Sequence, residues 1–170
     1  SAGLTMGVVL NVFSTWPKLP PFGSAALLQI EIETMRRGFV LRNATIGDPG
    51  FVTVPEQWLL STALADSLRK TIASGRATPT LAAQAGAGTG STTHFSVVDT
   101  EGNAVSNTYT LNDLYGCGVT IPGTGVLLND IMDDFTVAPG RPNSWGLVQG
   151  EVNAIAPLKR PLSSMSPTIM

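Results

Sequence analysis

The chain opens on an almost unbroken apolar run, residues 3–13 (GLTMGVVLNVF). A short continuous run of this kind predicts a buried strand over residues 1–13. It is too short to cross a bilayer and no basic residue stands ahead of it, so neither a membrane span nor a signal peptide is expected. Residues 14–24 (STWPKLPPFGS) hold three prolines and predict an extended connection. Residues 25–44 are good helix formers and predict one or two helices. Residues 46–55 (IGDPGFVTVP) are turn-rich. Over residues 56–74, Trp58, Leu59, Ala63, Ala65, Leu68 and Ile72 roughly keep the helical period, which predicts an amphipathic helix. Arg69 and Lys70 lie toward its C-terminal end, where the helix dipole favours a cation.

Residues 75–90 read as a linker. Within it, residues 82–90 (AAQAGAGTG) have almost no side chain able to anchor them, so the stretch is expected to be mobile and open to cleavage. Its GxG is not a phosphate loop, because neither GxGxxG nor a Walker pattern is present. Strand patterns follow. Residues 92–98 (TTHFSVV) and 104–112 (AVSNTYTLN) flank a turn, DTEGN. If residues 99–103 form the loop, Val98 faces Ala104, and counting back sets Thr92 opposite Thr110. Alternation then puts Thr108, Thr110 and Asn112 on one face. This row of hydroxyl and amide groups is either a polar wall at the open end of a hairpin or a pair of solvent-facing threonine-rich strands. Short strands are expected over 116–125 and 126–128, then a long loop over 139–150. Helices precede strands, which predicts a layered α+β domain without repeats.

Composition narrows the chemistry. The 170 residues carry a net charge of −2 and only 13% charged residues, against about 25% in an average soluble domain. Hydrophobic residues make up 43%, enough to bury a core. No basic surplus supports binding to nucleic acid. One cysteine, Cys117, excludes an internal disulfide and a CxxC pair, and it is expected to be a small buried apolar residue. One histidine, His94, excludes a multi-histidine metal site. The remaining chemistry rests on hydroxyls, carboxylates, amides and backbone.

Thr92 follows the glycine- and alanine-rich stretch and starts a strand. If the chain is cut before it, its freed α-amine, with an ordinary pKa of about 7.7–8, can serve as base for its own hydroxyl. That arrangement needs no histidine. His94 shares the strand face of Thr92 and is expected to have a supporting role.

Residues 92–112, 127–135 (LLNDIMDDF) and 159–168 (KRPLSSMSPT) resemble the small-subunit signature of the gamma-glutamyltransferase family, in order and in spacing. Residues 20–29 (PPFGSAALLQ) and 46–55 resemble the end of its large subunit. The resemblance implies an N-terminal nucleophile hydrolase with an αββα sandwich, incomplete in this chain. It implies self-cleavage between Ser91 and Thr92, dividing large-subunit-like residues 1–91 from small-subunit-like residues 92–170. It further implies attack by Thr92 on a γ-glutamyl amide such as glutathione, and transfer of the acyl group to water or an amino acid, without cofactor or metal. Thr92 matches the nucleophile, and Thr110 the threonine that orients it. Asn112 and Asp134 match residues that hold the α-amino and α-carboxylate end of the γ-glutamyl group. Ser163 and Ser164 match the pair that binds the α-carboxylate. Trp145, in the 139–150 loop, stands where an aromatic lid shields the site in bacterial members. Those members are periplasmic or secreted. Without the resemblance, Asp133–Asp134 reads equally as a solvated turn or a helix cap, and Ser163–Ser164 as loop chemistry.

Some positions depart from the family. Ile131 stands where Glu or Gln usually contacts the substrate α-amino group, and loss of such a contact costs about 1–3 kcal/mol. Gly50 replaces the usual Asp, and the connection over residues 27–37 looks short. The family's oxyanion-hole glycines lie downstream of the matched region, and its carboxylate-clamping arginine upstream. The chain starts at Ser1 without Met and is expected to be a piece of a longer one. Two other readings stand beside the first. One is an acylase of related chemistry, of the cephalosporin or poly-γ-glutamate type. The other is a fragment or pseudoenzyme that only folds or binds.

Overall fold

The structure is a computed structural model and describes residues 2–78, 92–143 and 148–169. The first apolar run is a helix, not a strand: α1 spans Ala2–Ser14. Its buried side chains, Thr5, Val8 and Val12, recur at helical spacing along one face. A run that is apolar on all sides carries no period, so composition alone did not separate the two forms; its length favours helix. Among the described residues no helix is long and apolar enough to cross a membrane.

Residues 25–44 form a single helix, α2 (Ala25–Thr45), capped by Ser24, whose hydroxyl oxygen accepts from the Leu27 N–H at 3.2 Å. α1 packs on α2 at Gly38, where an added Cβ would lie 2.9 Å from Val9 Cγ2, so only glycine permits this approach without a shift. The helix expected over 56–74 is broken into α3 (Glu56–Leu59) and α4 (Thr62–Lys70). Ser61 makes the break by capping α4, its hydroxyl accepting from Leu64 N–H at 3.2 Å. The kink buries Leu59, whereas Trp58 stays exposed. Val8, Ile46, Leu59 and Leu162 form the core, with Leu4, Leu41, Val54, Leu64 and Leu68 packed around it. Leu162 comes from the far end of the chain, so the core joins segments on both sides of Thr92.

The hairpin has the register counted from its turn. β1 (Thr92–Val98) pairs antiparallel with β2 (Ala104–Thr110), with Val98 opposite Ala104 and Thr92 opposite Thr110. Asp99 fixes the turn: one carboxylate oxygen accepts from the Glu101 and Asn103 N–H groups at 2.9 and 2.8 Å, the other from Asn103 Nδ2 at 2.8 Å. One face carries Thr92, His94 and Ser96 against Thr110, Thr108 and Ser106. The other carries Phe95, Val97, Val105 and Tyr109, all exposed. β2 ends at Thr110 rather than Asn112, because Asn112 turns the chain in the left-handed region at φ 78°.

The short strands expected over 116–128 reduce to one bridge, Thr120 with Leu127. Gly116, at φ 54°, fills a place where an added Cβ would lie 2.0 Å from the Leu128 carbonyl oxygen. Cys117 is exposed, not buried, since this segment lies at the surface. Among the described residues the sheet has two strands, so the full αββα layering is not displayed.

Two clamps tie distant segments to this frame. Asp48, after α2, accepts from the Arg160 backbone N–H at 2.8 Å and from its guanidinium at 2.7 and 3.1 Å. Those bonds hold the Asp48 carboxyl well below the usual carboxylate range. Glu33 of α2 is fully buried and accepts from Arg36, Arg37 and the Thr78 N–H and hydroxyl. Burial alone would raise its pKa, but the bonds from Thr78 and Arg37 outweigh it and lower the pKa to about 2.

Candidate active site

Thr92 and Thr110 end the polar face of the hairpin, and their hydroxyl oxygens lie 3.1 Å apart. Thr110 Oγ1 also accepts from the Asn112 backbone N–H at 2.9 Å. The left-handed turn at Asn112 therefore orients the hydroxyl beside Thr92. His94 spans the same face, with Nδ1 2.7 Å from Thr108 Oγ1 and Nε2 3.2 Å from Ser96 Oγ. It braces the face rather than pointing at Thr92, as a supporting role requires.

Beyond the hairpin the chain doubles back. The Asp130 N–H donates to Leu111 O at 3.1 Å, Asp130 Oδ1 accepts from Asp113 N–H at 2.9 Å, and Asn112 Nδ2 donates to Asp130 O at 3.4 Å. A 3-10 turn, Ile131–Asp134, then carries Asp134 to the groove. Half-burial pushes the Asp134 carboxyl up, Arg42 pulls it down, and the neighbouring Asp133 and Asp130 push it further up, so the balance lies above the ordinary carboxylate value.

The serine pair arrives on the segment that Asp48 and Asn153 anchor. Asn153 is fully buried and joins three places. Its Nδ2 donates to Asp134 O at 2.7 Å and to Gln149 Oε1 at 2.5 Å, and its Oδ1 accepts from Leu162 N–H at 3.2 Å. One side chain thus sets the spacing between Asp134 and the residues just before Ser163. Farther along, Thr168 N–H donates to Ser106 Oγ at 3.1 Å, which lays the serine segment across the hairpin's polar face.

These elements enclose an open groove of about 650 Å³. It brings together Thr92, Thr110, Asn112, Asp134, Ser163 and Ser164, and adds His94, Thr108, Met165 and Ser166. Ser91 and Trp145 lie outside the described residues, so the expected cleavage partner and lid have no position here. Ile131 is half-buried on the Asp134 turn and brings no polar group to the groove. The groove offers a hydroxyl pair, a carboxylate and a patch of hydroxyl donors. That combination suits a nucleophile beside a pocket for a zwitterion. Arg42 and Asn153 were not among the residues singled out by sequence. Their contacts to the site span as much as 122 positions along the chain, and no local pattern signals them.

Known proteins carry the same frame. The gamma-glutamyltranspeptidase family model matches residues 1–170. Over 177 residues the chain is 47% identical to a glutathione hydrolase proenzyme of a Pseudomonas species, covering 100% of this chain and 30% of that protein. Over 168 residues it is 36% identical to an acylase ACY 1 proenzyme, also of a Pseudomonas species, covering 98% of this chain and 28% of that protein. The crystal structure of cephalosporin acylase from Bacillus halodurans shares the fold, with a TM-score of 0.71 over 96% of this chain and 27% of that one, at 24% identity. The chain thus spans under a third of the length of the relatives it matches. Its mixed helix and sheet is part of the N-terminal nucleophile hydrolase fold, and the chain belongs to the gamma-glutamyltranspeptidase family.

Proposed function

We propose that the protein carrying this segment cuts itself between Ser91 and Thr92, giving pieces that meet at the 91/92 boundary. Thr92 then acts as the nucleophile of a γ-glutamyl hydrolase or transferase. The supporting observation is the Thr92–Thr110 hydroxyl pair at 3.1 Å, on the same groove as Asn112, Asp134, Ser163 and Ser164. The freed α-amine of Thr92 takes the proton from its own hydroxyl as Oγ1 attacks the γ-carbonyl of the donor. The departing amine receives that proton, leaving a γ-glutamyl ester on Thr92. Water or an amino acid then attacks the ester, and the hydroxyl is restored. Thr110, held by Asn112 N–H, orients the nucleophile. Asp134 faces the substrate ammonium, and Ser163 and Ser164 donate to its carboxylate. Glutathione is the donor that the glutathione hydrolase relatives point to.

The test is the mass and N-terminal sequence of the intact protein after incubation. A new N-terminus at Thr92, absent from Thr92→Ala, is the expected result. A chain that stays whole in both overturns the proposal. Ile131 favours a second reading, an acylase for acyl groups without an α-amino group, since an isoleucine gives that group no partner. Glutaryl amides turned over in preference to γ-glutamyl anilide would select it.

A further inference from the structure

Arg42 lies in the last turn of α2, where almost no charged side chain is found without a purpose: only 3% of it is exposed. One guanidinium nitrogen donates to Asn43 Oδ1 at 3.1 Å, and another to Ser164 Oγ at 3.3 Å. Its guanidinium carbon sits 5.8 Å from the centre of the Phe39 ring. The head is thus fixed on two sides and meets the groove through Ser164, which lines it. We infer that Arg42 is a positioning residue for the α-amino-acid end of the substrate, aiming the Ser164 hydroxyl outward. The inference rests on the γ-glutamyl reading above.

The chemistry follows from proton counting. A serine hydroxyl has one proton and can accept as well as donate. Arginine has only donors, so the Ser164 oxygen must accept from Arg42. The Ser164 proton is then directed elsewhere, and the groove is where a carboxylate would receive it. A full positive charge stands one hydrogen bond behind that hydroxyl. Guanidinium keeps its proton even when buried, so the polarisation persists across the working pH range. A lysine would carry the charge but not the planar fork.

The test uses the intact, self-processed protein with Arg42→Met and Arg42→Lys. Donors are γ-glutamyl anilide and butyryl anilide, which lacks both α groups and is read as an inhibition constant where turnover is slow. Arg42→Met should raise KM for γ-glutamyl anilide about tenfold or more, change kcat little and leave the butyryl constant unchanged. Arg42→Lys keeps the charge but not the planar fork, so KM should stay raised. Equal losses on both donors would assign Arg42 to packing alone and overturn the inference. If Arg42→Met is not processed, Arg42→Lys decides: a wild-type KM for γ-glutamyl anilide overturns it. A wild-type protein with no preference for γ-glutamyl over butyryl anilide is a different result, which removes the γ-glutamyl reading and the inference with it.

Discussion

Leu59 and Thr92 mark two ways of holding a side chain in place. Leu59 is 1% exposed and is fixed by the core it shares with Val8, Ile46 and Leu162. Thr92 is exposed, on a strand whose every residue is exposed, and is fixed by register and short polar bonds. The helical region gains its stability from buried apolar area. The hairpin region gains geometry from the Asp99 turn, from Asn112 and from the segment that Thr168 ties to Ser106. Stability and the proposed chemistry therefore rest largely on separate sets of residues, joined at Leu162 and Asn153, and substitutions elsewhere should sort into those that unfold and those that disable.

The sharpest way to break this division is Thr92→Ala. It should abolish self-cleavage and lower any turnover on the order of 10⁴-fold or more, with melting unchanged within about 0.5 kcal/mol. A large fall in melting temperature would show the hairpin to be part of the core. Leu59→Ala is the converse, expected to cost about 2–5 kcal/mol by denaturant unfolding, with kcat preserved in the fraction that stays folded. Thr110→Val should slow turnover about tenfold to a hundredfold while unfolding stays near wild type. A further test varies pH. The Glu33 pKa is lowered in the fold from about 4.5 to about 2, so its stabilisation is complete above 4.5 and is lost as pH falls toward 2. Melting followed across that window should show a decline that Glu33→Gln flattens. An identical decline in the variant would place the acid sensitivity elsewhere.

The division also explains what could be read from sequence. The hairpin register was legible because period-two alternation and a compact DTEGN turn leave one pairing. The groove residues Thr92, Thr110, Asn112, Asp134, Ser163 and Ser164 were legible through the family resemblance, and they do meet in one groove. α1 was misread because Val8, Val9, Leu10 and Val12 sit in an almost unbroken apolar run, and burial on one face comes from packing against α2, α3 and α4. The break at Ser61 follows from a single hydroxyl cap inside a helical pattern, a local choice that periodicity averages away. Arg42 and Asn153 are tertiary residues: each looks like an ordinary polar position until the far segment folds onto it.

The Asp48–Arg160 clamp bears on what the proposed cleavage would leave behind. Its two partners stand on opposite sides of the Ser91–Thr92 bond, as do Arg42 and Ser164, and Ile46 and Leu162. While the backbone is intact these pairs are intramolecular, and the tether supplies a high effective concentration. Under the proposed cleavage they would become the contacts that bind one chain to another, and dilution would work against them. A charge pair that is only a fold-holding bond in the precursor would then decide, with its salt dependence, how long the two halves of the mature protein stay together.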